Sequence, residues 1–183
     1  MTIDILIAIL ATAITAGTPI LYAALGEILT ERAGILNLGV EGMMLVGAVS
    51  GFIAAFHTSS PWTGIIVAMF AGGAMASIHA LLTITLRANQ TVSGLSLTIF
   101  GIGLSGYLGK PIVGTPLETS FKALELPILS SIPFIGPIMF KQDALVYLSY
   151  IIVLVMWFFI YRTKTGLNLR AVGENPAAAD SLG

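Results

Sequence analysis

Five stretches of mostly apolar residues dominate this sequence and constrain its fold more than any other feature. A bilayer span needs roughly 20 such residues in one helix. The stretches cover about residues 3–28, 35–56, 61–86, 92–108 and 144–161. Only 9% of the 183 residues are charged, too few to cover a soluble fold, whereas lipid tolerates an apolar surface. The sequence therefore predicts an all-α, polytopic transmembrane helical bundle of about five spans.

Local signals refine these spans. Gly17-Thr18-Pro19 predicts a break in the first span, because proline cannot continue the hydrogen-bond ladder of a helix. Ser60-Pro61 and Asp143 supply N-terminal capping signals for the third and fifth spans. Gly34 and Gly39 indicate a broken helical entry into the second span, because glycine loosens a helix.

The distribution of Lys and Arg near the span ends predicts the orientation, because cytoplasmic loops are enriched in both. One set of ends carries five of them: Arg32, Arg87, Arg162, Lys164 and Arg170. The other carries three, all in the proline-rich connection 109–143: Lys110, Lys122 and Lys141. We therefore expect the N-terminus and this connection outside, and the tail 162–183 in the cytoplasm. The apolar part of the connection is too short to span, so we expect it at the interface or dipping against the helices.

Asn37 and Glu41 are polar residues within the second predicted span. They are four residues apart and would share one face of a helix. A carboxylate inside a span costs on the order of a few kcal/mol and normally faces protein or a water-filled cavity. Two interpretations stay open. The pair lines a translocation route or gate, or it makes an interhelical hydrogen bond that fixes packing.

Several kinds of site lack the residues that they need. The absence of cysteine excludes disulfides and thiolate chemistry, and His57 and His79 are far apart, without the spacing of metal ligands. No GxxxxGK[ST] pattern occurs, so the chain has no P-loop for ATP. A net charge of −1 gives no attraction to nucleic acid. We expect neither enzymatic activity nor a cofactor bound by this chain.

The tail carries both start and stop signals for a helix. Asn175 and Pro176 fit the N-cap and first helical positions, and residues 177–179 are all alanine, the strongest helix former. Gly183 fits a residue just past a helix end. We therefore predict a short helix over about residues 176–182 on the cytoplasmic face.

Three blocks of sequence resemble the membrane permeases of ABC importers for branched-chain amino acids, ribose-type sugars and nucleosides. The blocks are ALGEILTERAGILNLGVEGMMLVGA, ANQTVSGLSLTIFGIGLSGYL and LRAVGENPAAADSLG, which occur in the family's order. The resemblance extends over nearly the whole chain. Within the family, the nucleoside and simple-sugar branch is the most similar.

The resemblance implies a permease subunit in the plasma (inner) membrane of a prokaryote. Its partners would be an ABC ATPase subunit that uses ATP, a second permease subunit and an extracytoplasmic substrate-binding protein. The family's coupling loop, Glu-Ala-Ala, three residues, Gly, forms a short helix that docks on the ATPase. This chain matches it at Ala178, Ala179 and Gly183, with Ala177 in place of Glu. The segment that the resemblance assigns to coupling also includes Gly173, Asn175 and Pro176.

Family permeases continue through several further helices, so the resemblance also implies that residues 1–183 are the N-terminal portion of a permease domain. Two other functions stay open. The chain could be a fragment of an ion-coupled transporter or channel in which Glu41 carries protons or cations. It could instead be a non-functional remnant. A cytoplasmic docking helix favours the permease, because an ion-coupled carrier needs no ATPase.

Overall fold

The computed structural model describes residues 2–181, and helices form most of that part of the chain. Its α-helices are α1 (Thr2–Arg32), α2 (Val40–Thr58), α3 (Pro61–Ala80), α4 (Gln90–Gly109), α5 (Ile135–Met139), α6 (Ala144–Arg162), α7 (Lys164–Glu174) and α8 (Pro176–Ser181). A π-helical turn, Leu81–Thr85, extends α3, and two-residue strands β1 (Leu124–Glu125) and β2 (Lys141–Gln142) pair antiparallel. Helices α1, α2, extended α3, α4 and α6 are long and apolar enough to cross a membrane. The prediction of an all-α chain with about five spans is confirmed.

The first span contradicts the predicted break at Gly17-Thr18-Pro19, because α1 continues through all three residues. Pro19 has no N–H for the Thr15 carbonyl four residues earlier, and the neighbouring Thr18 hydroxyl donates to a different carbonyl, that of Ile14, at 2.8 Å. In lipid, a full break would leave more backbone groups without partners than one proline does. Continuing the helix is therefore the less costly solution.

The chain divides into two compact units, and one of them is Leu29–Ser120. In this unit α2 and α3 form an antiparallel hairpin, and α2 also packs against α4 around a core of Met43, Val46, Met75 and Leu97. Glycines bring the backbones together: a Cβ placed on Gly51 or on Gly64 would lie 2.8 Å from the other residue's carbonyl oxygen. Such close packing through small residues is typical of membrane helices.

The second unit joins the N-terminal part of α1, through Ile28, to the segment that begins at Phe121. Gln142, in β2, is buried here and holds α1. Its Nε2 donates to the Ala11 carbonyl at 3.2 Å, and its Oε1 accepts from the Thr15 hydroxyl at 2.7 Å. Asp143 caps α6 by accepting from the N–H groups of Leu145 and Val146. The connection 109–143 thus contributes a buried anchor for α1 as well as the cap of α6.

Candidate functional site

The chain between α1 and α2, residues 33–39, is not helical. The predicted second span began at residue 35, but α2 begins at Val40, so the broken entry indicated by the glycines is present. Gly34 takes up a φ of 84°, in the left-handed region where other residues are strained. The inference that Asn37 and Glu41 share one helix face is therefore wrong, because Asn37 precedes the helix and the i, i+4 geometry does not apply to it.

Side chains from α3 and the start of α4 hold the first part of this irregular segment. Buried His79 lies with Nδ1 3.0 Å from the Ser93 hydroxyl and with Nε2 3.3 Å from the Leu36 carbonyl oxygen. The Leu36 N–H donates to the Gln90 side-chain oxygen at 2.7 Å. Backbone groups that a helix would pair internally are therefore paired here by side chains, as an apolar environment requires.

The end of the segment lies deeper along α4. The Thr98 hydroxyl donates to the Leu38 carbonyl at 2.8 Å, and Thr98 lies two turns beyond the start of α4. Gly94 permits this approach, because a Cβ on it would lie 2.8 Å from the Leu38 nitrogen. We refer to residues 33–39 as the pinned segment. Irregular backbone of this kind occurs in membrane proteins where it is packed in protein or lines a cavity.

Asn37 is 9% exposed and forms a hydrogen bond within the pinned segment. Its Oδ1 accepts from the Gly39 N–H at 3.0 Å, and its Nδ2 lies 3.6 Å from the Met43 sulfur. Glu41 is exposed in the first turn of α2, where the helix N-terminus favours a carboxylate. The assignment of both residues to a translocation route or to packing stays a prediction, and the contacts of Asn37 are those of a packing residue.

Four residues that hold the pinned segment were missed by sequence reasoning: His79, Gln90, Ser93 and Thr98. Each is a polar residue in or beside an apolar run, and that was the available signal. His79 was considered only as a metal ligand, and within residues 2–181 no cluster of His, Cys, Asp and Glu could hold a metal ion. His79, Gln90 and Thr98 pair with backbone groups and Ser93 with the His79 ring, and a sequence pattern reveals none of these contacts.

The tail contains a helix that the sequence did not predict, α7, directly after α6. Thr163 joins them: its hydroxyl donates to the Phe159 carbonyl at 2.6 Å and accepts from the Gly166 N–H at 3.0 Å. Gly166 is buried, and a Cβ on it would overlap the Phe159 carbonyl oxygen. Glycine at this position therefore allows α7 to begin in backbone contact with the end of α6. Thr163, an N-cap residue type, was the signal available in the sequence.

The predicted coupling residues lie on α7 and α8. Gly173 is half-buried near the end of α7, and Asn175 caps α8 with its Oδ1 accepting from the Ala178 N–H at 3.0 Å. Pro176 is the first residue of α8, as predicted. Ala178 is exposed and Ala179 half-buried. Leu182 and Gly183, the predicted end of this helix, lie outside the described residues.

Curated proteins similar to this chain include ABC transporter permease proteins. A putative glucose ABC transporter permease protein of Haloferax volcanii is 44% identical and covers 93% of this chain and 53% of its own length. A nucleoside ABC transporter permease protein of Lactococcus lactis is 34% identical, over 96% of this chain and 58% of the relative. A guanosine ABC transporter permease protein of Bacillus subtilis is 33% identical, over 99% of this chain and 60% of the relative. The chain thus spans between half and three fifths of these relatives. No solved structure matches it.

A family model extends the similarity to nearly every residue described above. The model for the branched-chain amino acid transport system permease component matches residues 9–183. The match includes most of α1, the pinned segment, the other four apolar helices and the tail with α7 and α8. The resemblance seen in the three sequence blocks is confirmed, and the chain belongs to the family of branched-chain amino acid transport system permease components.

Proposed function

We propose that this chain is a transmembrane permease subunit of an ATP-driven ABC importer for nucleosides or simple sugars. Family membership supports the proposal, as do relatives whose names specify glucose, nucleosides and guanosine. The observation that carries it is α8, which Asn175 caps and which presents Ala177 and Ala178 to solvent. A small, smooth helical surface suits insertion into a groove on a partner subunit.

The proposal includes three partners and an orientation. An ABC ATPase subunit binds α8 and uses ATP, a second permease subunit completes the route, and an extracytoplasmic substrate-binding protein delivers the substrate. The N-terminus lies outside and the tail lies in the cytoplasm of a prokaryote. Movement of the ATPase reaches α6 through α7, because Thr163 and Gly166 join the backbones of α6 and α7. The chain itself performs no chemical reaction.

The position of Glu41 has an explanation that needs no transported ion. Glu41 is exposed in the first turn of α2, where the N–H groups of the helix end favour a carboxylate. Its position is therefore explained by local helix electrostatics.

Ala178→Glu tests the docking role of α8. Position 178 is exposed in the first turn of α8, and glutamate is a good helix former that a helix N-terminus favours, so α8 itself should persist. Insertion of a bulky charge into a groove carries steric and desolvation costs. We expect membrane expression to match the wild type and recovery of the co-expressed ATPase subunit on purification to fall at least roughly tenfold, the equivalent of 1.4 kcal/mol.

Ser120→Glu is the matched control, because it adds the same charge at an exposed position in the connection predicted to lie outside. It should leave ATPase recovery at the wild-type level. If Ala178→Glu also leaves both ATPase recovery and substrate-stimulated ATP hydrolysis unchanged, α8 is not the docking helix. If the two variants reduce recovery equally, added charge impairs the complex in general, and the docking assignment loses its support.

A further inference from the structure

Two arginine–aromatic pairs lie where α6 ends and α7 begins. The Arg162 guanidinium carbon lies 5.4 Å from the ring centroid of Trp157, and that of Arg170 lies 5.3 Å from the ring of Tyr161. The two rings are four residues apart on α6 and so share one face of it. Both are about half exposed, Trp157 at 51% and Tyr161 at 47%. We call these four residues the arginine–aromatic corner.

The positive charge of this corner is not neutralised within the described part of the chain. From Arg162 to Gly173 the sequence contains three basic residues and no acidic one, the third base being Lys164. Across residues 2–181, none of these three bases forms an ion pair with a carboxylate, and Arg170 Nε, which is buried, has no hydrogen-bond acceptor. When a guanidinium stacks on an aromatic ring, the N–H groups along the guanidinium edge stay available as donors. Their geometry matches that of phosphate oxygens.

The corner lies at the level where a span meets lipid headgroups. Helix α6 has 19 residues and is roughly 28 Å long, close to the thickness of a hydrocarbon core. Trp157 and Tyr161 occupy its last two turns, and such aromatic residues mark the membrane interface. Helix α7 exposes Leu167 (57%) and Val172 (46%) beside the corner, apolar surface that suits the boundary between headgroups and acyl chains.

We propose that the arginine–aromatic corner binds the phosphate of an anionic phospholipid. The Arg162 and Arg170 guanidiniums hold the phosphate oxygens, the Trp157 and Tyr161 rings fix the guanidiniums in place, and the acyl chains run along α6. A membrane lipid fits better than a soluble anion because the basic groups directly follow a span and border exposed apolar residues. This inference stands apart from the proposed transport function, since it concerns the lipid around the chain and no transported substrate.

The test is lipid retention by the intact purified chain, titrated with phosphatidylglycerol or phosphatidylcholine and followed by native mass spectrometry. The double variant R162Q/R170Q should weaken phosphatidylglycerol binding roughly fivefold for each cation removed, so roughly 25-fold in total. R162K/R170K keeps the charges but loses the planar fork and should weaken binding less. Phosphatidylcholine retention should be low and should not change. K110Q/K122Q removes two exposed cations elsewhere and should bind like the wild type.

Four results would overturn the proposal. Unchanged phosphatidylglycerol binding in R162Q/R170Q would remove the two arginines from any lipid site. Equal weakening in K110Q/K122Q would mean attraction by overall charge alone. Displacement of the lipid by millimolar inorganic phosphate would identify a site for a soluble anion. Retained lipid binding with loss of the co-expressed ATPase subunit in R162Q/R170Q would identify the corner as a protein contact. Size-exclusion profiles of all variants show whether each remains folded.

Discussion

Two glycines on α4, two residues apart, should respond to alanine with opposite signs. A Cβ on Gly101 would lie 2.5 Å from the Gly42 Cα and 2.5 Å from the Gly42 carbonyl oxygen, whereas a Cβ on Gly103 would have nothing within 4 Å. Carbon atoms pack best at about 3.5–4.0 Å, so Gly101→Ala forces α2 and α4 apart by about 1 Å. Both colliding atoms are backbone atoms, and no side-chain rotation can relieve the contact.

The magnitudes follow from this geometry. In a helix interior, alanine is more favourable than glycine by about 0.5–1 kcal/mol, and Gly103→Ala should stabilise the chain by that amount. Overpacking costs about 1–3 kcal/mol, and a rigid backbone clash belongs at the upper end. Gly101→Ala should therefore lower the free energy of unfolding by about 2 kcal/mol after the gain in helix propensity is subtracted. For a chain of this size, that corresponds to about 4–8 °C in Tm.

The assay is the fraction of purified chain in detergent that stays monodisperse after heating, followed by tryptophan fluorescence on a size-exclusion column. Gly101→Ala should melt below the wild type and Gly103→Ala slightly above it. Because both variants add the same methyl group to the same helix, the comparison removes general effects of composition. A Gly101→Ala variant as stable as the wild type, or equal losses for both variants, would refute the reasoning from backbone contact.

Two further outcomes are expected. Thr98→Val removes the donor to the Leu38 carbonyl and should cost about 0.6–1.7 kcal/mol, from the mean to the maximum for interhelical hydrogen bonds in membranes. Thr91→Val at an exposed position of α4 should cost less. Equal heat stability of the two variants would show that the hydrogen bond to the pinned segment contributes nothing. In this cysteine-free chain, Ser120→Cys should react with an impermeant maleimide in intact cells, and Asn168→Cys only after permeabilisation. The reverse labelling pattern would invert the proposed orientation.

Apolar runs and capping residues located most of the helices from sequence, because both act locally. The signals of Asp143 and Asn175 correspond to side-chain caps of α6 and α8. The conformation of the pinned segment could not be predicted from the sequence. Its backbone groups pair with side chains, those of His79 and Thr98, that are 43 to 60 residues away in the sequence. Sequence also cannot tell Gly101 from Gly103, since composition does not show which glycine faces a neighbouring backbone.

Asn37 and Glu41 show how a rule can fail when its premise does. Four-residue spacing implies a shared face only inside a continuous helix, and α2 begins between the two residues. The predicted break at Pro19 was wrong because the helix continues where the rule expects it to end. Proline ends helices in water, where freed carbonyls find solvent, but in lipid the same carbonyls have no such partner. The environment therefore decides how each of these sequence signals is to be interpreted.

The length of α1 has a consequence for the bilayers that suit this chain. Its 31 residues are roughly 46 Å long, and even at a tilt of about 40° they cross roughly 36 Å, more than the roughly 30 Å of a hydrocarbon core. At that tilt the excess is roughly 6 Å, so the ends of α1, with Arg32 in the last turn, extend beyond the acyl chains. Helices α2 and α6, with 19 residues each, have no such excess length. Hydrophobic mismatch in a thicker membrane would consequently be felt by α2 and α6, while α1 could adjust by changing its tilt.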